Sequence, residues 1–592
     1  MNLTILTKIT LVISCLFLFS CAAPAPYFHL PVSEPSSAQK LVVFIDGTKN
    51  DESSYTNVSK LRNLLTLQKR TDIKSAYIEG VGTDNRWLGA AIGTGFTKDL
   101  EQAYEFLTQH YQSADNKVYL FGFSRGAYAV RALAGLINVA GIPDFSGLTN
   151  KQRETAAKAI VNEYKSKGTV KERQARFKEK QIEFYDVNQP FVEIEFVGIW
   201  DTVEALAIPD YEESNILKDK DYVDQLCNVK EVAHALSLDD DRANIFTPLL
   251  LTKNAAKTQC GSDITEQSPI QVIDQVFFSG AHSDVGGGYT NTNIDGVSLN
   301  WMLSKIEGKA PDGLVAKGTR VYADPYGKTH DPEAELSIGY AFKHRSISKY
   351  AALLDDHFTV HQSVIDRLAC TYQQCNEIQW DAQDNLFRHC FTKTNGVYEF
   401  TPKAKKCYLI AKSEASYQTK ACPLKKVDQG PAPAFTLTHP PACTGKKGEA
   451  LPCIAHAVTV NPKNKHIKSG VILDSSQRYK FIVKTTDWND HGLCATPESG
   501  RRVSRSDSSY FMKGILYVGK LISYAPTAGY MELIGEVKGN ILRVGKLADE
   551  ETIFSPKQTG ELILRVNEPR VGKSFYDNNE GSAMLFILRV SE

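Results

Sequence analysis

The sequence has no net charge, no Cys-x-x-Cys pair and no apolar run long enough to cross a membrane. Its 592 residues include 68 basic and 68 acidic side chains, so nothing in the charge indicates a nucleic-acid partner. Zinc-binding cysteines usually come in closely spaced pairs, which are missing here. The only histidines four residues apart, His357 and His361, lie ahead of the main cysteine cluster and are expected on one polar face of a helix. The sequence therefore lacks the pattern of a cysteine and histidine metal centre.

The twelve cysteines that are present form a pattern typical of disulfides. Cys15 and Cys21 lie near the start, which leaves ten of the twelve for the rest of the chain. Eight of these ten fall between Cys370 and Cys494. We expect them to be paired in an oxidising compartment, with the connectivity left open.

The first residues have the features of a lipoprotein signal peptide. Lys8 precedes a short apolar run over residues 9–19, and Leu18-Phe19-Ser20-Cys21 is typical of a lipobox. Cleavage before Cys21 and acylation of its thiol and amine would anchor the chain in a membrane. A weaker lipobox ends at Cys15, and an uncleaved N-terminal anchor is the alternative. Because Ala22 follows Cys21, the resemblance to bacterial lipoproteins implies the cell envelope, at the outer membrane.

A strand, a tight turn and a helix are predicted around Ser124. Residues 117–123 are β-branched and aromatic, and Gly122-Phe123-Ser124-Arg125-Gly126 has the form Gly-x-Ser-x-Gly. This arrangement is typical of a nucleophile elbow, in which the glycines let strand and helix approach and the serine hydroxyl stands above the sheet edge. The alternative is a helix start made of small residues. We predict Ser124 as the nucleophile of an acyl transfer that needs no cofactor.

An acid and a histidine follow later strands in the order typical of α/β hydrolases. Residues 191–200 read as a strand that ends at Asp201, and residues 272–278 read as a strand whose loop carries His282. We predict His282 as the base and Asp201 as the acid that orients it. Asp284 is the rival acid, because it lies close to His282 in sequence. The alternatives are a turn-capping aspartate and an ordinary loop histidine.

The oxyanion needs two backbone N–H donors. Arg125, the residue after the nucleophile, supplies one of them by its position. Residues 41–45 read as an early strand that leads into Asp46-Gly47-Thr48, so the amide of Gly47 or Thr48 is the candidate for the second donor. A plain tight turn at Asp46-Gly47 is the alternative, and the residues leave both open.

Five motifs in order give residues 40–305 a resemblance to a known family. The family is that of the α/β hydrolases containing the type VI secretion phospholipase effectors, and the motifs are Phe44-Ile45-Asp46-Gly47-Thr48, Glu79-Gly80-Val81-Gly82-Thr83, Gly122-Phe123-Ser124-Arg125-Gly126-Ala127, Trp200-Asp201-Thr202-Val203 and Gly280-Ala281-His282-Ser283-Asp284-Val285-Gly286-Gly287-Gly288-Tyr289. The resemblance implies a mainly parallel sheet flanked by helices, catalysis by Ser124, Asp201 and His282, and glycerophospholipids or related lipid esters as substrates. The residues alone indicate only an acyl ester or amide.

The domain order is predicted from changes of pattern along the chain. We expect a signal peptide at 1–20, a proline-containing tether at 21–38 and the α/β-hydrolase domain at 39–350. Within the hydrolase domain, residues 150–182 read as charged helix, either a lid or a solvated surface helix. A cysteine-rich irregular region follows at 351–455, and short strands separated by glycine turns predict a β-sandwich at 456–592.

The predicted sandwich resembles the small galactose-binding calcium lectins. The likeness lies in Gly560 to Val566, in Asn567-Glu568-Pro569, in Tyr576-Asp577-Asn578-Asn579 and in Gly581. By this resemblance Glu568, Asn578 and Asn579 are the calcium ligands, although Glu568 stands where those lectins have an aspartate. An Asp-Asn-Asn turn between two strands is the alternative.

Taken together, these features predict a membrane-anchored serine hydrolase of lipid esters, with phospholipids as the substrate class. The sandwich could in addition bind glycan. One alternative is a glycan- or surface-binding lipoprotein whose hydrolase scaffold is inactive, since a fold can outlast its chemistry. A purely structural lipoprotein is the other.

Overall fold

The computed structural model describes the greater part of the chain. Apart from isolated residues and short gaps inside the ranges, the described residues are 27–29, 39–80, 90–165, 170–179, 192–203, 226–251, 272–289, 294–308, 313–330, 345, 359–364, 391–400, 409–411, 435–436, 455–501, 523–568 and 576–590. Within them, no helix is both long and apolar enough to cross a membrane. Cys21 and Asn578 lie outside the described residues.

Short strands make up most of the regular structure. In chain order they are β1 (Tyr27–His29), β2 (Lys40–Ile45), β3 (Ile73–Ile78), β4 (Lys117–Phe123), β5 (Ile194–Trp200), β6 (Val229–Ser237), β7 (Val272–Phe278), β8 (Glu307–Gly308), β9 (Val315–Ala316), β10 (Arg320–Val321), β11 (Thr359–His361), β12 (Phe391–Thr394), β13 (Val397–Phe400), β14 (Leu409–Ala411), β15 (Phe435–Thr436), β16 (Ala455–Val460), β17 (Ile467–Leu473), β18 (Arg478–Asp490), β19 (Leu493–Thr496), β20 (Gly500–Arg501), β21 (Leu533–Val537), β22 (Asn540–Leu542), β23 (Gly560–Val566) and β24 (Asn579–Val590).

The described helices lie mainly in the first half of the chain. They are α1 (Asn57–Leu67), α2 (Ala90–His110), α3 (Arg125–Ala140), α4 (Asn150–Tyr164), α5 (Val170–Glu179), α6 (His282–Gly286), α7 (Asp295–Ile306) and α8 (Val544–Asp549), with a 3-10 turn at Glu52–Ser54. Helices α4 and α5 fall in the stretch predicted as charged helix. Ala157, Ile160 and Val161 on α4 are buried against the hydrolase core, as expected of a surface helix with one apolar face.

The N-terminal half is built on a nine-stranded sheet in the order β1-β3-β2-β4-β5-β6-β7-β11-β14. Every pairing from β3 to β14 is parallel, and only β1 is antiparallel, at the edge. Parallel strands end at the same edge of a sheet, so β4, β5 and β7 bring the residues that follow them to one side of the molecule. The mainly parallel sheet flanked by helices confirms the predicted fold class.

The hydrolase sheet extends beyond the range from which strands were predicted. Strands β11 and β14 lie within residues 351–455 but continue the parallel sheet from β7. His361 lies on β11 rather than on the expected helix, and its ring is buried and stacked on Phe278 at 4.7 Å. The helical expectation for His361 was therefore wrong, because a four-residue spacing between two polar side chains does not distinguish a helix from a strand end.

The C-terminal half contains two facing sheets. One has the order β10-β16-β24-β18-β19-β20 and the other β15-β17-β23-β21-β22. Their facing side chains form one apolar cluster, with Tyr479, Phe481 and Leu585 from the first sheet and Leu562 and Leu564 from the second. This arrangement is a β-sandwich, as the short strands separated by glycine turns predicted.

The sandwich and the hydrolase sheet share a hydrophobic core. Strand β24 is apolar on both faces: Ala583, Leu585 and Ile587 point into the sandwich, whereas Met584, Phe586 and Leu588 belong to the cluster that contains Val42 and Phe44 of β2. Alternate residues of a strand face opposite sides, so one strand serves both cores. In addition β10, which follows the hydrolase helix α7, pairs with β16.

Candidate active site

Ser124 occupies the turn between β4 and α3 in a strained conformation. Its φ of 57° and ψ of −124° lie outside the regions that residues with a side chain ordinarily adopt. The flanking glycines are required, because a Cβ at Gly126 would lie 2.2 Å from the carbonyl oxygen of Ile45, and one at Gly122 would lie 2.5 Å from that of Gly126. The geometry is that of the nucleophile elbow predicted from the sequence.

Backbone hydrogen bonds connect the elbow to the next strand. The N–H of Ser124 donates to the carbonyl of Trp200 at 2.9 Å, and the carbonyl of Ser124 accepts from Val203 at 3.4 Å. Asp201 lies between these two partners and has a positive φ of 38°. The pairing of β4 with β5 therefore places the candidate acid beside the candidate nucleophile.

Asp201 and His282 are in direct contact. Nδ1 of His282 lies 2.5 Å from Oδ2 of Asp201, and both side chains are buried. The other carboxylate oxygen, Oδ1, accepts from the N–H of Ser237 at 2.9 Å. Asp201 is thus held from two sides while it orients the imidazole ring, which is the role of the acid in a Ser-His-Asp triad.

Asp284, the rival acid, faces a different histidine. Its Oδ1 lies 2.8 Å from Nδ1 of His330, and its Oδ2 accepts from the N–H groups of Ala281 and His330 at 2.9 Å each. Through the contact with Ala281, the side chain of Asp284 accepts a backbone hydrogen bond at the start of the short helix α6. The structure therefore brings Asp201, and not Asp284, to His282.

The His282 ring is packed between two aromatic side chains. The ring centroids of Phe123 and Phe246 lie 4.6 and 4.7 Å from that of His282. Its outer nitrogen, Nε2, is buried and has no hydrogen-bond partner among the described residues. Burial lowers the pKa of His282, and the hydrogen bond from its ring to Asp201 offsets this effect only in part. A neutral imidazole with a free nitrogen is what a general base requires.

Arg345 completes the buried end of the site. Its two terminal nitrogens donate to the two carboxylate oxygens of Asp201, at 2.8 and 2.9 Å. Burial by itself would raise the pKa of Asp201, but the charge of Arg345 and the hydrogen bond from His282 hold that pKa well below its ordinary value. Sequence reasoning missed Arg345, because 144 residues separate it from Asp201 and no local motif marks it.

A second acidic residue supports the backbone of His282. Oδ2 of Asp240 accepts from the N–H of His282 at 3.1 Å, and the same oxygen pairs with Arg242 at 2.7 Å. The guanidinium of Arg242 in turn lies 3.8 Å from the ring centroid of Phe246. The base is therefore fixed through its backbone as well as through its ring.

The loop after β2 lies directly beside the nucleophile. A Cβ placed on Gly47 would be 3.1 Å from Cβ of Ser124. The N–H of Gly47, however, donates to its neighbour Asp46, at 2.8 Å from Oδ1, so this amide is already engaged. Thr48 is exposed, and the amide of Arg125 stands at the first position of α3, where no intrahelical acceptor exists. Thr48 and Arg125 remain the candidate donors.

Asp46 anchors the loop through a buried network. Its Oδ2 accepts from the hydroxyl groups of Thr56 and Tyr77, at 2.5 and 2.7 Å. Burial raises the pKa of Asp46 to about 6, although these hydrogen bonds act in the opposite direction. Sequence analysis gave Asp46 only the role of a turn residue, and its partners come from two other elements.

The C-terminal candidates are only partly described. Glu568 and Asn579 are both fully buried, one after β23 and one at the start of β24. The amide nitrogen of Asn579 donates to the carbonyl of Pro462 at 3.0 Å, which leaves its oxygen without a hydrogen-bond partner among the described residues. In the described part of the chain, no group of three His, Cys, Asp or Glu side chains could hold a metal ion. Cys227 is disulfide-bonded.

Comparison with known proteins identifies the domain that carries the site. Residues 39–305 match the family model described as "T6SS, Phospholipase effector Tle1-like, catalytic domain". The match confirms the family predicted from the five motifs, over nearly the same residues. This part of the chain is therefore a hydrolase of the esterase and phospholipase type.

Similar individual proteins include one from yeast and two of known structure. The "Uncharacterized protein YEL023C" of Saccharomyces cerevisiae is 27% identical over 311 residues, which are 43% of this chain and 41% of that protein, so the chain spans about two fifths of its length. The esterase Est2 of Thermogutta terrifontis is 12% identical, with a TM-score of 0.25, over 47% of this chain and 84% of the esterase. The N-terminal domain of EclA, a PllA-like lectin, is 18% identical, with a TM-score of 0.16, over 22% of this chain and 94% of that domain.

Proposed function

With a phospholipase-type catalytic domain as the premise, we propose that the protein cleaves the acyl esters of glycerophospholipids or related lipids. Ser124 is the nucleophile, His282 the general base and acid, and Asp201 the residue that orients His282. The observation that carries this proposal is the contact of 2.5 Å between Oδ2 of Asp201 and Nδ1 of His282. Among the described residues Nε2 of His282 has no hydrogen-bond partner, and the ring packs against Phe123, the residue before Ser124. Serine hydrolases on unrelated folds share this arrangement.

The proposed reaction has two steps. In the first, Oγ of Ser124 bonds to the acyl carbon while its proton passes to Nε2 of His282, and that proton then goes to the alcohol oxygen as the ester C–O bond breaks. In the second, water attacks the acyl group on Ser124, His282 takes the water proton and returns it to Oγ, and the fatty acid leaves. The amides of Thr48 and Arg125 donate to the oxyanion of each tetrahedral intermediate.

Substrate hydrolysis by purified protein tests the proposal. The panel contains phosphatidylcholine, phosphatidylethanolamine and phosphatidylglycerol in mixed micelles, beside a short-chain nitrophenyl ester. Ser124→Ala and His282→Ala are each expected to lower kcat by a factor of about 10³ or more, because loss of either triad member disables the unit. Ser146→Ala, at an exposed turn, is the matched control and should retain full activity.

Two results would contradict the proposed function. One is hydrolysis that persists unchanged in Ser124→Ala, which would place the chemistry elsewhere. The other is a wild-type protein that is folded, has intact disulfides and cleaves no ester of the panel. This second result would favour the alternative, a surface-binding protein with an inactive hydrolase scaffold.

We further propose that the protein is anchored as a lipoprotein in the cell envelope. The support is the sequence pattern that ends at Cys21, since two or three acyl chains suffice for stable membrane attachment. Expression with a labelled fatty acid is expected to label the wild type and not Cys21→Ser, whereas Cys15→Ser should be labelled like the wild type. Label that remains in Cys21→Ser would contradict this anchor.

For the sandwich we propose calcium binding, because the buried side-chain oxygen of Asn579 has no hydrogen-bond partner within the part of the chain that the structure describes. Glu568 and Asn579 offer the hard oxygen donors that calcium takes, and calcium of this kind could contact a sugar. The melting temperature of the full chain is expected to rise with calcium and to fall with a chelator, and Asn579→Ala should abolish the difference. No calcium-dependent change in the wild type would overturn this proposal.

A further inference from the structure

Arg345 is completely buried, and its guanidinium donates hydrogen bonds to Asp201 and to two backbone carbonyl groups. Besides the two oxygens of Asp201, its terminal nitrogens donate to the carbonyl oxygens of Ser237 and Phe246, at 2.6 and 2.7 Å. Neither Arg345 nor Asp201 has any exposed side-chain surface. A planar guanidinium that meets a carboxylate at two points fixes both the position and the plane of that carboxylate.

This ion pair changes the electrostatics of the triad. In the usual arrangement the aspartate carries an uncompensated negative charge that stabilises the imidazolium cation. Here a full positive charge lies within hydrogen-bond distance of both oxygens of Asp201, in a site without water exposure. Opposite charges at such distances weaken each other's field at a third group, so Arg345 reduces the negative field that Asp201 exerts on His282.

The other charged groups that face His282 have hydrogen-bond partners as well. Asp240 accepts from the backbone of His282 but is bound to Arg242. On the same helix as His282, the carboxylate of Asp284 contacts the ring of His330, with Oδ1 2.8 Å from Nδ1. Behind Asp201, the imidazole of His234 is fully buried, and burial lowers its pKa to about 3, so it adds no charge near neutral pH. Asp239 also faces this segment, where its Oδ2 accepts from the N–H of Gly280 at 2.6 Å. Asp240 and Asp201 thus each have an arginine of their own.

We propose that Arg345 is a positioning residue that fixes the Asp201 carboxylate for His282 and, by offsetting part of its negative charge, helps to keep His282 unprotonated and active as a base. This inference rests on the proposed function, because it concerns the base of that reaction. It deepens the proposal, because the pH below which activity falls would then depend on Arg345, a residue outside the triad.

The pH dependence of kcat/KM tests the inference. In Arg345→Met the Asp201 charge is uncompensated and favours the imidazolium, so the acid limb of the profile is expected to move to higher pH by about one unit or more. Arg345→Lys is the matched control: it keeps the charge but loses the two-point contact, so kcat should fall while the acid limb stays near that of the wild type. A proton NMR titration of His282 reports the same shift directly.

Because Arg345→Met leaves the buried carboxylate of Asp201 without its cation, a second pair of variants removes that carboxylate first. Asp201→Asn is compared with Asp201→Asn/Arg345→Met, in which removal of the nearby cation is again expected to raise the acid limb. An acid limb that stays in place in either comparison, with activity merely scaled down at every pH, overturns the inference and leaves Arg345 with a structural role. Full activity of Ser124→Ala and His282→Ala would instead overturn the proposed function, so the two failures are distinguishable.

Discussion

His234 and Thr202 are joined behind the triad by a hydrogen bond in which the imidazole is the acceptor. The backbone N–H of Thr202 donates to Nε2 of His234 at 3.2 Å, while Nδ1 of His234 faces Oε1 of Gln275 at 3.1 Å. One ring nitrogen accepts and the other donates, so the ring must be neutral. This neutral histidine holds the residue next to Asp201, and protonation would destroy the contact.

Buried neutral histidines predict a loss of stability in acid. Burial lowers the pKa of His234 to about 3 and that of His456, in the sandwich, to about 4. The unfolded chain binds a proton near pH 6.5 and the native state does not, so each contribution is full above pH 6.5 and is lost as the pH falls toward the native pKa. From pH 7.5 to 5.5 each histidine should lower the free energy of unfolding by about 1.4 kcal/mol.

His456→Gln removes one of these groups far from the triad. Its glutamine can still donate to the carbonyl of Ser469, as Nε2 of His456 does at 2.8 Å. Urea unfolding at both pH values should show a smaller loss for the variant, with kcat unchanged. An equal loss in wild type and variant would show that His456 is protonated in the native state.

Gly126→Ala should damage the elbow far more than Gly147→Ala. A Cβ at Gly126 meets the carbonyl oxygens of Ile45 and Asp46 at 2.2 and 2.5 Å, whereas one at Gly147 meets nothing within 4 Å. We expect a loss of about 1–3 kcal/mol in unfolding free energy and a marked loss of kcat at Gly126, because backbone atoms cannot move aside. Gly147→Ala should change stability by less than about 0.5 kcal/mol. Equal behaviour of the two variants, by urea unfolding and ester hydrolysis, would contradict the elbow geometry.

Asp46→Asn tests the network under the oxyanion loop. Asparagine has a single acceptor oxygen, so it cannot accept both from the N–H of Gly47 and from the hydroxyl groups of Thr56 and Tyr77. We therefore expect about 1–3 kcal/mol less stability and a reduced kcat with a smaller change in KM. Tyr77→Phe removes one hydrogen bond and leaves the Gly47 contact intact, so it should lower stability by about 1 kcal/mol and affect kcat less. A Tyr77→Phe variant as slow as Asp46→Asn would contradict an effect exerted through Gly47.

Phe586→Ala should destabilise the hydrolase domain although the residue belongs to the sandwich strand β24. Its fully buried ring lies in the core shared with β2, and its loss should lower the unfolding free energy by about 3–5 kcal/mol. Ile541→Ala, at a side chain with 45% exposure, is the control and should have little effect. Hydrolase activity and sandwich structure should be lost together on heating. Separate transitions for the two would contradict a shared core.

Much of the candidate site could be predicted because its signals are local. A strand that ends in Gly-x-Ser-x-Gly places Ser124, and parallel strands bring Asp201 and His282 to the same edge. Only the structure shows which of Asp201 and Asp284 contacts His282, since either could reach a loop histidine. Arg345 could not be predicted, because a contact across 144 residues leaves no mark in a single sequence.

The remaining differences have equally physical causes. The amide of Gly47 faces Asp46 because a side-chain carboxylate competes for the same donor that an oxyanion would use. Strands β11 and β14 escaped prediction because three-residue strands carry too little periodicity to stand out among loops. The sandwich was predicted from short strands separated by glycine turns. The double role of β24 could not be predicted, because it depends on which residues contact each of its two faces.

Because β24 belongs to both cores, the core of the hydrolase sheet depends on residues that are synthesised last. Met584, Phe586 and Leu588 fill the core beneath β2, yet the ribosome makes them more than 500 residues after Val42. Until residue 590 has been synthesised, this side of the hydrolase sheet lacks part of its apolar cover, and the elbow is carried by an incomplete scaffold. The apolar core beneath β2 is thus complete only after the last strand of the sandwich has been made.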